Sequence, residues 1–200
     1  MKNFILLMTT VLFFACGGPS EPVATVATTG DFTGYEIAKV AGSEIEKAIK
    51  KNAQTGQLIE DGFILNGRKT GAWTTYHPSK NLTVNTVTNF VNGKKEGLYL
   101  EAENTNRVKM IGSYSNDVKH GKWIAYNFSR RELEQDYKNG KLHGFSRTFY
   151  KTGKDGQVKE EIEFDNGVKD GVYRYYKEDG TISVDYVYKN GEIAERKKQG

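Results

Sequence analysis

The residues best suited to chemistry are three histidines, His77, His120 and His143. A zinc site would need such side chains to converge, with metal–nitrogen distances of about 2.0–2.1 Å. His120 and His143 each precede a Gly of a recurring pattern, so they occupy equivalent positions in adjacent copies. If each copy is a β-hairpin, they stand two strands apart, about 10 Å at about 4.8 Å per strand. That is too far to share one ion, and His77 lies in a different turn. Exposed turn histidines are the expectation. Ser79, Ser129 and Ser146 have no evident His/acid partner, and the glycine spacing lacks the Gly-Lys-Ser/Thr of a phosphate loop. The one cysteine, Cys16, ends an apolar N-terminal stretch away from these residues. No catalytic residue, metal ligand or cofactor is expected, and the chain does not read as an enzyme.

Two charge patterns remain. Glu132, Glu134 and Asp136 alternate along one stretch, and Glu161 and Glu163 along its counterpart in the next copy. They could form an acidic patch for a basic partner or Ca²⁺, but a solvated sheet face balanced by Lys159 and Arg147 is favoured. Arg68/Lys69, Lys94/Lys95, Lys119, Lys141 and Lys169 recur after the turns. Stacked hairpins would align them as a track for anionic lipid or polysaccharide. The favoured reading is that they keep a long sheet soluble and blunt edge pairing. A net charge of +4 is weak for nucleic-acid binding.

The elements that position these residues announce themselves through repetition. Asn66-Gly67, Asn92-Gly93, Asn139-Gly140, Asn166-Gly167 and Asn190-Gly191 recur with Asn116-Asp117 every 23 to 27 residues. A second glycine follows the first five marks: Gly71, Gly97, Gly121, Gly144 and Gly171. A period in this range signals a repeat architecture. Alternation of apolar and polar residues precedes each Asn, as in Ile182, Val184, Tyr186 and Tyr188, which predicts half-buried strands. Asn-Gly between such strands predicts a two-residue type I′ hairpin. With a two-residue turn, the residue four before Asn faces the repeated glycine. Trp73, Tyr99, Trp123 and Tyr173 follow on the same face, with Ser146 breaking the series. Rings lying across these glycines would shield their backbone. Looser turns are expected at residues 77–81, 103–106, 151–156 and 177–180.

The ends differ from the repeats. Lys2 followed by the apolar stretch from Phe4 to Ala15 predicts a signal peptide over 1–15, too short to span a bilayer. Ala15 before Cys16 resembles a bacterial lipobox, although Phe13 and Phe14 depart from its usual pattern. The resemblance implies lipidation of Cys16 and a bacterial cell-envelope protein, at the outer membrane since no Asp follows the Cys. An ordinary secretory signal is the alternative. Residues 16–42 are expected to be a tether and 193–200 a tail. Residues 44 to 51 admit two readings. Ile45, Ala48 and Ile49 have helical spacing, whereas Gly56-Gln57-Leu58 aligns with Gly156-Gln157-Val158 and favours a degenerate first hairpin over residues 44–65.

Across residues 43–192 the copies NGRKTGAWTTYHP, NDVKHGKWIAYN and NGVKDGVYRYYKEDG resemble the bacterial MORN-repeat variant of YwqK-type antitoxins. The departures are Asp117, Ser146 and Ala102. The resemblance implies an all-β fold, an elongated antiparallel meander of MORN-like β-hairpin repeats, with tethering or interaction roles. The expected function is a membrane-tethered scaffold that binds an unidentified protein on the Trp73/Trp123 face. The alternatives are an antitoxin or immunity protein, and binding of anionic lipid or polysaccharide.

Overall fold

Asn-Gly turns and period-two alternation produce one continuous antiparallel meander. The computed structural model describes residues 32–79 and 81–197. The described strands are β1 (Glu36–Lys39), β2 (Glu46–Lys51), β3 (Leu58–Leu65), β4 (Arg68–Tyr76), β5 (Val84–Val91), β6 (Lys94–Ala102) and β7 (Val108–Ser115). They continue as β8 (Val118–Asn127), β9 (Arg130–Lys138), β10 (Lys141–Phe149), β11 (Val158–Asp165), β12 (Val168–Tyr176), β13 (Ile182–Lys189) and β14 (Glu192–Arg196). Each pairs with its sequence neighbours in a single sheet ordered β1 to β14. At about 4.8 Å per strand the sheet runs about 60 Å from edge to edge.

The six predicted turns have the expected backbone. Their first residues have φ between 48° at Asn166 and 52° at Asn66, and their second residues between 70° and 91°. Asp117 fills the glycine position at φ 70°, and its carboxylate accepts the Lys95 N–H at 2.8 Å. Successive turns are also bonded to each other. The N–H groups of Gly93, Asp117, Gly140, Gly167 and Gly191 donate to the carbonyls of Lys69, Lys95, Lys119, Leu142 and Lys169, at 2.7 to 3.1 Å.

The predicted pairing of the repeated glycine is corrected. Between β3 and β4 the register runs Ile64↔Lys69 and Phe63↔Thr70, then resumes at Asp61↔Thr74. Gly62 therefore faces three residues: Gly71, Ala72 and Trp73. Gly71, Gly97, Gly121, Gly144 and Gly171 all sit at this bulge, with φ from 63° to 121°. A Cβ on Gly71 would meet nothing within 4 Å. Its backbone conformation, not a covering ring, is what demands glycine. The step is two residues, so side-chain alternation survives it. The rings instead cover Gly62 and Gly112, where a Cβ would overlap the indoles of Trp73 and Trp123.

One face of this single-layer sheet makes its own core from rings. Phe32, Ile37, Ala48, Ile64 and Trp73 are buried together, with Tyr35 and Phe90 against them. Tyr99, Tyr114, Trp123 and Tyr137 form a second cluster, with centroid separations of 5.0 to 6.4 Å. Tyr173, Tyr186 and Tyr188 form a third. The two indole N–H groups donate to the carbonyls of Phe63 and Ser113, at 2.9 and 3.0 Å.

The boundaries also shift. Within residues 44–51 the chain forms a strand over Glu46–Lys51: β2 pairs with β3 from Glu46↔Ile64 to Lys51↔Leu58, so the helical alternative is overturned. The sheet extends into the segment read as tether, because β1 pairs with β2 and Phe32 stacks on Trp73 at 5.9 Å. At the other end β14 carries pairing to Arg196, although all five of its residues are exposed. The expected signal peptide, Cys16 and residues 17–31 lie outside the described residues. Among those described, no helix is long and apolar enough to cross a membrane.

Candidate interaction site at the divergent hairpin

The repeats agree so closely that the copy which departs from them stands out. That copy comprises β8, β9 and β10. The predicted loops at this sheet edge did not include the β8–β9 connection. It is a two-residue turn, Phe128-Ser129, between the paired Asn127 and Arg130. Both residues have positive φ, 49° and 66°. Every other positive-φ residue of the two-residue turns is Asn, Asp or Gly, which tolerate this region; a bulky aromatic does not. The ring is not withdrawn from water to compensate, since Phe128 is 71% exposed. A strained backbone that displays an apolar ring is an outlier from which a functional role can be argued.

One cation lies over that ring and others line the hollow beside it. The Arg107 guanidinium lies 5.2 Å from its centroid. Arg130 donates to the Gly153 carbonyl through Nη2, while its Nε is buried with no hydrogen-bond partner among the described residues. Arg131 stacks 5.1 Å from the Phe149 ring, and its N–H donates to Asp155 at 3.3 Å. These contacts fasten the long 150–157 loop beside the short turn. An open hollow of about 390 Å³ lies there, lined by Asn127, Phe128, Arg130, Arg131, Glu132 and Lys151. A second, of about 450 Å³, lies toward β7, lined by Arg107, Val108, Ile111, Tyr126 and Ser129 among others. Phe128 lines the first hollow with Arg130, Arg131 and Lys151, and Ser129 of the same turn lines the second with Arg107.

The same hairpin interrupts both faces of the sheet. On the aromatic face, Ser146 stands where other copies carry a ring, opposite Gln135, whose amide donates to its hydroxyl at 3.2 Å. Tyr137 donates to the other end of that amide at 2.9 Å. On the opposite face, the paired row Val87–Leu100–Ile111–Ile124 gives way to Glu134–Arg147–Glu161–Arg174–Asp185. Arg147 bridges Glu134 at 3.5 Å and Glu161 at 3.1 Å; Arg174 bridges Glu161 at 3.1 Å and Asp185 at 3.6 Å. Burial would raise the Glu161 pKa, but hydrogen bonds from Tyr176, Arg147 and Arg174 hold it below the ordinary value. Lys122 bridges Glu134 and Asp136 at 2.5 and 3.1 Å. Glu134, Asp136 and Glu161 are thus balanced within the sheet face by Lys122, Arg147 and Arg174, whereas Glu163 accepts the Val172 N–H at 3.2 Å and Lys159, expected to share in the balance, lies over the Tyr175 ring. Among the described residues no group of three or more His, Cys, Asp or Glu is placed to hold a metal.

The basic series divides in two. Lys69, Lys95, Lys119 and Lys169 turn their ammonium groups over Trp73, Tyr114, Trp123 and Tyr188, at 3.9 to 5.0 Å. Burial there lowers the Lys119 pKa. Where Ser146 replaces the ring, Leu142 replaces this lysine. Arg68, Lys94 and Lys141 stay exposed, so the track is sparser than the sequence suggests. The histidines do not converge: His77 Nε2 contacts the Ala102 carbonyl at 2.9 Å and His143 Nδ1 lies 3.0 Å from Asp165, while His120 is exposed.

The expected Trp73/Trp123 binding face is corrected too, because these side chains are only 2% and 4% exposed. Tyr99 is half-buried, and burial followed by its contact with Glu101 pushes its pKa up to about 12. Tyr173 behaves likewise through burial and Glu160, also reaching about 12. The signal for Phe128 was present but unread: the Asn116–Asn139 interval is the shortest of the series, which leaves no room for a loop of ordinary length. No family model matches the chain, and no curated protein matches it in sequence.

Proposed function

We propose that the chain is a protein-interaction module of the bacterial cell envelope, held at a membrane by a lipid on Cys16, with its contact surface at the Phe128 turn. The observation that carries this reading is an exposed phenylalanine on a backbone conformation that phenylalanine disfavours. Aromatic and arginine side chains dominate the energetics of protein interfaces, and Phe128 with Arg107, Arg130 and Arg131 combines both. Partner chemistry follows from the lining: a polypeptide whose apolar side chains fill the two hollows and whose carboxylates meet the arginines. Strand pairing up to Asn127 and Arg130 fixes the backbone on both sides of the turn, which lowers the ordering cost on binding. The antitoxin alternative draws on the repeat resemblance alone, and the lipid or polysaccharide alternative on the exposed Arg68, Lys94 and Lys141.

Site-specific photocrosslinking in the producing cells tests the reading. A photoreactive side chain at position 128 should give a discrete protein adduct, and one at Asn92 on the opposite sheet edge should not. Adducts of equal yield at both positions, or none at 128, would remove the proposal.

A further inference from the structure

The five Asn-Gly pairs are chemically alike in sequence and unlike in the sheet. In such a pair the Gly nitrogen can attack the Asn side-chain carbonyl. A bond forms from that nitrogen to Cγ, the Cγ–Nδ2 bond breaks, and ammonia leaves with the displaced proton. Water then opens the succinimide at either carbonyl, giving aspartate or isoaspartate. The nucleophile is the backbone nitrogen, so a hydrogen bond from its N–H slows the step by withholding the proton and holding the turn.

At four of the five pairs that bond exists. Gly93, Gly140, Gly167 and Gly191 donate to Lys69, Lys119, Leu142 and Lys169, at 2.7 to 2.9 Å. Each acceptor belongs to the hairpin before, three residues after that hairpin's own turn Asn. Asn66-Gly67 has no such hairpin before it. The preceding connection at this edge is the wider Val40–Ile45 loop, closed by Val40 N–H to the Ile45 carbonyl at 2.9 Å. Among the described residues no acceptor receives the Gly67 N–H. Asn66 is exposed, and its turn has the same positive φ values as the rest.

We infer that Asn66 is a selective deamidation site, and that the turn-to-turn hydrogen-bond ladder shields the other Asn-Gly pairs from the same reaction. The product places a carboxylate in the first turn. Its iso form adds a backbone carbon where two residues must hold positive φ. The β3–β4 hairpin carrying Ile64 and Trp73 would loosen, and the N-terminal core with it.

Incubating the full chain at mildly alkaline pH and quantifying each Asn-Gly peptide by mass spectrometry tests this. Asn66 should convert about two- to tenfold faster than the other four, the population factor of one net hydrogen bond. In strong denaturant the five rates should converge. Equal rates in the folded chain would overturn the inference. So would faster conversion at Asn190, which would make fraying at the last hairpin the controlling factor, or persistence of the Asn66 lead in denaturant, which would make it a property of local sequence.

Discussion

Gly62 lies beneath the indole of Trp73, close enough that a methyl group on it would overlap the ring. Gly112 and Trp123 repeat the relationship two hairpins later. The same cross-strand position pairs Thr88 with Tyr99, Gln135 with Ser146 and Ile162 with Tyr173. The largest ring is thus matched to the smallest partner, and the copy that loses the ring gains a polar pair.

Two kinds of glycine follow from this, and they should fail differently. Gly62→Ala is expected to cost at least about 1–3 kcal/mol, the penalty of overpacking a fitted core. Gly71→Ala meets open space and should cost only the left-handed backbone penalty, about 1–2 kcal/mol. Trp73→Phe should rescue the first and leave the second unchanged. Denaturant titration of the single and double variants measures both effects. A Gly71→Ala defect relieved by Trp73→Phe would contradict the bulge assignment.

The ladder on the other face should make stability depend on acid. The Glu161 carboxyl has a folded pKa below its ordinary value, so it stabilises the fold above that value. The contribution falls away as pH drops through the depressed pKa. Glu161→Gln should therefore cost about 1.5–3 kcal/mol at neutral pH, the range for hydrogen bonds to charged partners, and much less under acid conditions. Thermal unfolding from pH 7 down to pH 3 reads this, with the curves for wild type and variant converging at the acid end. A constant gap between them would place the defect elsewhere.

The architecture was legible because turn chemistry and side-chain period are local. Asn66-Gly67 and its counterparts specify where the strands reverse, and Tyr186 and Tyr188 specify which face carries the rings. The bulge at Gly71 was hidden because a two-residue step leaves alternation intact, so the sequence reads the same with or without it. β1 escaped notice because four residues give too short a pattern, and its burial depends on Phe32 reaching Trp73 across the sheet. The charge ladder was half visible, since Arg147 could be guessed as a balance for Glu134 and Glu161 but its alternation with Arg174 depends on register. Phe128 was missed because its turn lacks the Asn that opens every other two-residue turn among the described residues.

The turn that departs from the ruler can be returned to it. The double variant Phe128→Asn/Ser129→Gly installs the repeat's own Asn-Gly turn between Asn127 and Arg130 and removes the exposed ring. Relief of backbone strain should stabilise the fold by about 1–3 kcal/mol, while the partner contact is lost. The decisive measurement reads thermal stability alongside partner capture from envelope membranes by the tethered full chain. A higher melting temperature with lost capture is the expected result. Undiminished capture by the double variant would contradict the assignment of the Phe128 turn as the contact surface.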